Sequence, residues 1–175
     1  MPLGAGERAP RFRLRGIDNA YWILGEPDRR RNVLLVFFRR EVGTCRLLLP
    51  FVERLHRRAH EHESEILGIS LDTHPDTLEL AEDYTLTFPI LLEEKGYETF
   101  QAYGVSEVPT LFRLDADLRV AGSLIGWSKP DFERLGRSFL DAIGGGEETI
   151  WEEQDVPPPE QAAAMPVAEL LRREG

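Results

Sequence analysis

Buried apolar runs alternate along the chain with segments whose apolar residues recur every three or four positions. The six consecutive apolar residues over 33–38 are typical of a strand that is buried on both faces. A second such strand is predicted over 66–71. Between them a single apolar stripe predicts a helix from Thr44 to about His62. The stripe consists of Leu48, Phe51, Val52, Leu55 and Ala59.

The same patterns place the remaining elements. Strands are predicted over 12–15, 21–24, 88–92, 110–114 and 120–125, and helices over 75–84, 97–103 and 128–143. A strand–helix–strand crossover favours parallel neighbours, whereas the short turn between the last two strands favours an antiparallel hairpin. The sequence therefore predicts a three-layer α/β fold with a central mixed sheet flanked by helices.

Two clusters of turn-forming residues mark the end of this domain. Gly144–Gly146 predict a flexible link, and Pro157–Pro159 favour an extended conformation beyond it. The sequence thus predicts a domain over 1–146 and an acidic C-terminal tail over 147–175. Trp151 and the stripe formed by Val167, Leu170 and Leu171 are the expected apolar anchors of the tail. They would dock on the same domain or on a second copy of the chain in a homodimer.

Composition and charge exclude several classes of function. The chain has 175 residues, one cysteine and a formal net charge of -10. A single cysteine excludes an intrachain disulfide and a zinc site that needs several thiolates. A net negative charge argues against a nucleic-acid partner. The first sixty residues carry thirteen arginines against six acidic residues, whereas the tail carries two basic and eight acidic residues.

The N-terminal fourteen residues lack the continuous apolar segment of a signal peptide. The run over 33–38 is far shorter than a membrane span needs to be. The expected location is therefore the cytoplasm, without a membrane partner.

The candidate chemistry lies where the buried strand over 33–38 runs into the first helix. Cys45 falls in the first helical turn, where free backbone N–H groups and the helix dipole favour a thiolate. Arg39, Arg40 and Arg46 are close in sequence and would strengthen this effect if they point inward. The alternative is that Cys45 is a small apolar residue packed inside the helix start.

Histidines on the same helix raise the question of a metal site. His56 and His60 are four residues apart, and His62 follows. Arg57 and Arg58 lie between them, which favours a solvated charged face. The sequence predicts no metal site and no cofactor.

Several motifs, taken in order, resemble the thioredoxin-like superfamily and, within it, the redoxin branch that includes the alkyl hydroperoxide reductase/thiol-specific antioxidant proteins. Residues 6–14 match its opening Gly-x-x-Ala-Pro-x-Phe-x-Leu, and residues 66–72 match a later strand that ends in Asp. Cys45 and Pro50 keep the family interval at the active-site helix. The segment Val108, Pro109 and Thr110 resembles the loop that faces the thiol, where the resemblance implies a cis-proline and a backbone ledge for an extended peptide.

The departures from the family pattern concern the thiol pair. Val42 occupies the position of the first cysteine in Cys-x-x-Cys, followed by Gly43, Thr44 and the remaining Cys45. In peroxiredoxins the same position holds a threonine that contacts the peroxide. The resemblance implies one-thiol redox chemistry, in which Cys45 attacks a small peroxide or a disulfide and an external protein or low-molecular-weight thiol completes the cycle. The alternative is a peptide- or partner-binding module that has lost the redox pair.

Overall fold

The computed structural model of the protein describes residues 1–26, 31–59, 64–145 and 149–173. Its strands are β1 (Phe12–Arg15), β2 (Tyr21–Leu24), β3 (Asn32–Phe38), β4 (Ser64–Ser70), β5 (Ile90–Leu92), β6 (Glu107–Val108), β7 (Thr110–Leu114), β8 (Val120–Ile125), β9 (Trp127–Ser128), β10 (Gln161–Ala162) and β11 (Met165–Pro166). Its helices are α1 (Gly43–Ala59), α2 (His74–Asp83), α3 (Glu98–Ala102), α4 (Lys129–Ala142) and α5 (Val167–Arg172).

A five-stranded mixed sheet in the order β5-β4-β3-β7-β8 forms the centre of the fold. β3 pairs in parallel with β4, whereas β7 pairs in antiparallel fashion with both β3 and β8. All residues of β3 after Asn32 are buried, as its uninterrupted apolar run predicts. The predicted crossover and hairpin are both present, and the three-layer α/β fold is confirmed.

Helices cover both faces of this sheet. Leu135 of α4 lies over Gly122 of β8, and Leu55 of α1 contacts Gly136 of α4, so α1 and α4 share one face. Phe37 points to the other face, where its ring lies 4.9 Å from that of Phe100 in α3. The second half of α1 is thereby packed against α4, while its start follows the end of the buried strand β3.

The element boundaries differ from the predicted ones mainly at the ends. α1 is described as far as Ala59, and the predicted continuation to His62 lies outside the described residues. The predicted domain boundary after Gly146 also lies outside them and stays a prediction. No helix in the described residues is both long and apolar enough to cross a membrane.

A buried carboxylate on α1 fixes the approach to β5. Glu53 is 3% exposed. Its carboxylate accepts hydrogen bonds from the Thr87 N–H at 2.6 Å, the Thr87 hydroxyl at 2.6 Å and the Phe88 N–H at 3.2 Å. The exposed Arg57 donates to the same carboxylate at 3.0 Å. Glu53 thus accepts from both donors of the exposed Thr87 and from the N–H of the buried Phe88, which would otherwise lack an acceptor.

Replacing Glu53 with alanine is expected to lower the free energy of unfolding by about 2 kcal/mol, because the N–H of the buried Phe88 loses its acceptor and the two hydrogen bonds from Thr87 are lost. Urea denaturation followed by circular dichroism measures this loss. The matched control is Glu79→Ala, since Glu79 is exposed and pairs with Arg40 on the surface, where the cost is below about 1 kcal/mol. Equal losses in the two variants would contradict the role assigned to Glu53.

Candidate functional site at the start of α1 and the Val108–Pro109 loop

The end of β3 and the start of α1 position the thiol. After Phe38 the chain turns, with the Val42 N–H donating to the Arg39 carbonyl at 3.2 Å, and α1 begins at Gly43. Cys45 lies in the first turn of the helix, as the sequence predicts. Its side chain is completely buried, and Val42 is only 5% exposed.

Burial dominates the chemistry of this thiol. Removal from water raises the pKa of Cys45 to about 12 because it disfavours the charged thiolate. A backbone hydrogen bond from Arg39 and the positive charge of Arg46 lower the pKa, while the negative charge of Asp72 raises it. The balance leaves a neutral thiol near neutral pH, despite its position at a helix start.

The three predicted arginines differ in their contacts near the thiol. Arg39 is buried, and its Nε lies 2.9 Å from a carboxylate oxygen of Glu41 and 3.7 Å from one of Asp72. The side chain of Arg46 donates to the Arg40 carbonyl at 2.9 Å. Of the three guanidinium groups, that of Arg46 is the one whose charge lowers the Cys45 pKa.

The guanidinium group of Arg40 pairs with acidic side chains of α2. It lies 3.3 Å from Asp76 and 2.9 Å from Glu79. The hydrogen bond to Glu79 is the main reason why the pKa of Arg40 is raised. The side chain therefore links the site loop to α2.

The second part of the site is the loop around Pro109. The Val108–Pro109 peptide bond is cis. Val108, Pro109 and Thr110 are buried, and the Thr110 hydroxyl donates to the Glu107 carbonyl at 2.7 Å. The Gly126 N–H donates to the Pro109 carbonyl at 2.9 Å, which ties the loop to the end of β8. The loop thereby presents its outer backbone edge, β6, in a fixed conformation.

The C-terminal tail lies along that edge as an extended strand. Met165 and Pro166 of β11 pair in antiparallel fashion with Val108 and Glu107 of β6. Next to this pair, the Val167 N–H donates to the Ser106 carbonyl at 2.8 Å. The backbone edge before Pro109 is therefore already paired with an extended segment of the same chain.

The segment that precedes β11 crosses the start of α1. The Thr44 hydroxyl donates to the Ala163 carbonyl at 2.7 Å. On the other side of the segment lies Gly126, whose φ is +75°. A Cβ at Gly126 would lie 2.9 Å from the Ala162 carbonyl oxygen and 3.0 Å from the Ala164 nitrogen. The tail therefore follows a narrow groove that the absent side chain of Gly126 keeps open.

Further backbone contacts continue the groove along β9. Gln161 and Ala162 pair in antiparallel fashion with Ser128 and Trp127. The indole N–H of Trp127 donates to the Pro159 carbonyl at 2.7 Å. We call the surface formed by 106–110, Thr44 and 126–129 the cis-Pro groove, and residues 161–167 the tail strand.

A separate anchor holds the beginning of the tail. Trp151 packs edge-on against Phe51 of α1, with 5.2 Å between ring centroids. Arg54 donates two hydrogen bonds of 2.7 Å to the Asp155 carboxylate, which lowers the Asp155 pKa. At the far end of the tail, Val167 and Leu170 are buried in the core cluster. The predicted apolar anchors of the tail thus dock on its own domain.

The histidine cluster gives no metal site within the described residues. The structure describes His56, whose ring lies 6.2 Å from that of Phe88, while His60 and His62 lie outside the described residues. Across the described ranges, no group of three or more histidine, cysteine and acidic side chains could hold a metal ion.

The sequence predicts both the start of α1 and the Pro109 loop as parts of the site, but it does not predict the tail strand that lies between them. Gly126, Ala163 and Met165 were not among the predicted site residues. The available signal was the run of three alanines over 162–164, because small residues permit close backbone approach.

Comparisons with known proteins agree with this architecture. Residues 5–123 match the AhpC/TSA family. A thiol-disulfide oxidoreductase ResA of Bacillus anthracis is 27% identical over 122 residues, which cover 69% of each chain.

Two solved structures show the same fold. A thiol:disulfide interchange protein of Chlorobium tepidum has a TM-score of 0.67 at 20% identity, covering 78% of this chain and 98% of that one. The peroxidoxin BcpB of Mycobacterium tuberculosis has a TM-score of 0.65 at 17% identity, covering 82% and 98%. At these identities the likeness establishes a thioredoxin-like fold.

Proposed function

We propose that this chain, which belongs to the AhpC/TSA family, binds an extended polypeptide segment in its cis-Pro groove without turning over disulfides. The observation that carries this proposal is the combination of a backbone edge paired with an extended strand and a neighbouring thiol that is buried and neutral. The first feature supports peptide binding, and the second argues against chemistry on the bound peptide.

The groove offers the elements that strand addition needs. The backbone of β6 lies at a fixed loop and forms an antiparallel pair with the extended tail strand, which supports binding of another extended segment at the same edge. Main-chain hydrogen bonds of this kind provide affinity that depends little on the sequence of the bound segment. The space that the groove leaves for the side chains of that segment provides selectivity. The narrow passage at Gly126 favours segments with small residues there.

Disulfide turnover lacks two requirements. A thiolate is the nucleophile in thiol–disulfide exchange, and the raised pKa of Cys45 suppresses it. An internal disulfide needs a second cysteine, and the position three residues earlier holds Val42.

One-thiol redox chemistry at Cys45 is the second candidate. It is favoured by the Arg39 backbone hydrogen bond and the Arg46 charge, which both lower the thiol pKa. The names of the relatives, a thiol-disulfide oxidoreductase and a peroxidoxin, point to the same chemistry.

The second candidate has defined steps. The Cys45 thiolate would attack a peroxide oxygen to give a sulfenic acid and release water or an alcohol, or attack a disulfide to give a mixed disulfide and release one thiol. A first low-molecular-weight or protein thiol would convert the sulfenic acid to a mixed disulfide and release water. A further thiol would attack the mixed disulfide, release the Cys45 thiol and leave as a disulfide with the first, as the proposed cytoplasmic location would allow. Either partner would need access to a side chain that is now completely buried.

Insulin and its B chain test both candidate functions, disulfide reduction and peptide binding, with the same polypeptide. In an insulin reduction assay with dithiothreitol, the full chain is expected to leave the rate at its background value. Carboxymethylated B chain, whose cysteines are blocked, is expected to shift the amide resonances of 106–108, 110 and 126–129 in an NMR titration into the millimolar range.

Two glycine variants control this experiment. Gly126→Ala is expected to abolish the shifts because its methyl group narrows the groove. Gly6→Ala places the same methyl group at a comparable φ of +85°, with no neighbour within 4 Å, and is expected to keep them. Insulin reduction that requires Cys45, or binding that survives Gly126→Ala, would refute the proposal.

A further inference from the structure

We infer that the tail strand is a built-in ligand of the cis-Pro groove, so that any other segment binds only in competition with it. The inference rests on the proposed function, since it assigns the regulation and the ligand class of the same groove. The ligand class is an extended segment with three small residues followed by a larger apolar residue and proline, as in Ala162–Pro166.

The tail strand occupies the groove along its whole length. It pairs with β9 at one end and with β6 at the other. Between the two, the Thr44 hydroxyl holds the Ala163 carbonyl at 2.7 Å. No backbone edge therefore remains for a second strand at this part of the described surface while the tail strand is in place.

The sequence of the tail strand fits the narrow middle of the groove. The Ala162 carbonyl oxygen and the Ala164 nitrogen approach the space in which a Cβ of Gly126 would lie. The neighbouring side chains are methyl groups, while the Met165 side chain is half-buried beyond the narrow part. Backbone pairing with small side chains is what a groove of this shape selects.

The tail strand is tethered on both sides. Asp155 pairs with Arg54 before it, and Leu170 is completely buried after it. A tethered ligand competes at an effective concentration in the millimolar range. Because the tail strand pairs with β6 and β9, which lie outside the five-stranded central sheet, it can undock by local unfolding while that sheet stays folded.

The test uses the full chain in a Cys45→Ser background, so that thiol chemistry plays no part. Leu170→Asp is expected to undock α5, because the apolar site would otherwise bury an unpaired carboxylate. The matched variant Ala168→Asp adds the same charge at an exposed position of the same helix. The probe is a fluorescein-labelled synthetic peptide with the sequence of residues 159–168, and its binding is followed by fluorescence anisotropy.

Leu170→Asp is expected to bind the probe at least about tenfold more tightly than the Cys45→Ser background. Ala168→Asp is expected to behave like the background. Adding Gly126→Ala to Leu170→Asp is expected to abolish binding, whereas adding Gly6→Ala is expected to preserve it. Hydrogen exchange of the Val167 amide, which is bonded to Ser106, reports whether the tail strand has left.

Equal probe affinity in Leu170→Asp and the background, with Val167 unprotected in the variant, would overturn the inference. If the Val167 amide stays protected in Leu170→Asp, the double variant Val167→Asp/Leu170→Asp is used instead. Probe affinity equal to that of the background, with the amide of residue 167 unprotected, would then overturn the inference. A stable dimer in which the tail strands are exchanged between copies, seen by light scattering and mixed isotope labelling, would also overturn it. If the tail peptide binds Leu170→Asp but carboxymethylated B chain does not, the inference stands and the proposed function fails.

Discussion

Replacing Val42 with cysteine is expected to give a chain that forms an internal disulfide, which the native chain with its single cysteine cannot form. Val42 directly precedes α1, and Cys45 lies in its first turn, with the Cys45 N–H bonded to the Val42 carbonyl at 3.0 Å. This places two thiols at the spacing of a Cys-x-x-Cys site. The helix start favours the thiolate of the more exposed member.

Thiol counting in denaturant measures this outcome. The reduced variant should show two thiols and the oxidised monomer none, with a native circular dichroism spectrum in both states. Leu78→Cys is the matched control, because it adds a thiol on the exposed face of α2, out of reach of the buried Cys45. Two free thiols in a natively folded, oxidised Val42→Cys chain would contradict the correspondence between Val42 and the missing first cysteine.

The sequence predicts the sheet because its strands carry local signals. The apolar run over 33–38 makes β3 recognisable, and Asp115–Asp117 make the hairpin of β7 and β8 recognisable. These elements need no information from distant parts of the chain. The family motifs predict that the Pro109 loop faces Cys45, and this stays a prediction. In the structure Thr44, the neighbour of Cys45, contacts the tail strand that pairs with β6 just before Pro109.

The tail strand could not be predicted in the same way. β10 and β11 contain two residues each, so neither has a periodicity, and each exists because a distant strand supplies its hydrogen-bond partners. Trp151 and Leu170 were recognisable as apolar anchors, but the path between them follows from the shape of the groove. The run of alanines indicates that a close backbone approach is possible, but the position that it approaches, Gly126, follows from the structure.

The contacts of the arginines near Cys45 and the burial of Glu53 were also not predictable from the sequence, because they depend on where each side chain points. Arg39, Arg40 and Arg46 are close in sequence, yet the turn before α1 sends Arg40 to α2 and Arg39 to Asp72. The burial of Glu53 was missed because a carboxylate interrupts the apolar pattern of α1. Its partners, the 87–88 turn, lie more than thirty residues away along the chain.

The native Cys45 thiol is expected to react with iodoacetamide at pH 8 on the order of 10³-fold more slowly than in the unfolded chain. The pKa of about 12 leaves a very small fraction of thiolate, whereas an unfolded cysteine has an ordinary pKa. Complete burial adds a steric barrier to the electrostatic one. Mass spectrometry of alkylated protein, with and without denaturant, measures the ratio.

The same pKa determines how the thiol affects stability. The folded chain retains the Cys45 proton at pH values at which the unfolded chain has lost it, so this contribution falls as the pH rises from the ordinary cysteine range to about 12. Below that window it is fully present. The loss of stability with rising alkaline pH should therefore be steeper in the native chain than in Cys45→Ala. A native alkylation rate equal to that of the unfolded chain, together with equal alkaline slopes, would instead favour one-thiol chemistry at Cys45 over binding alone.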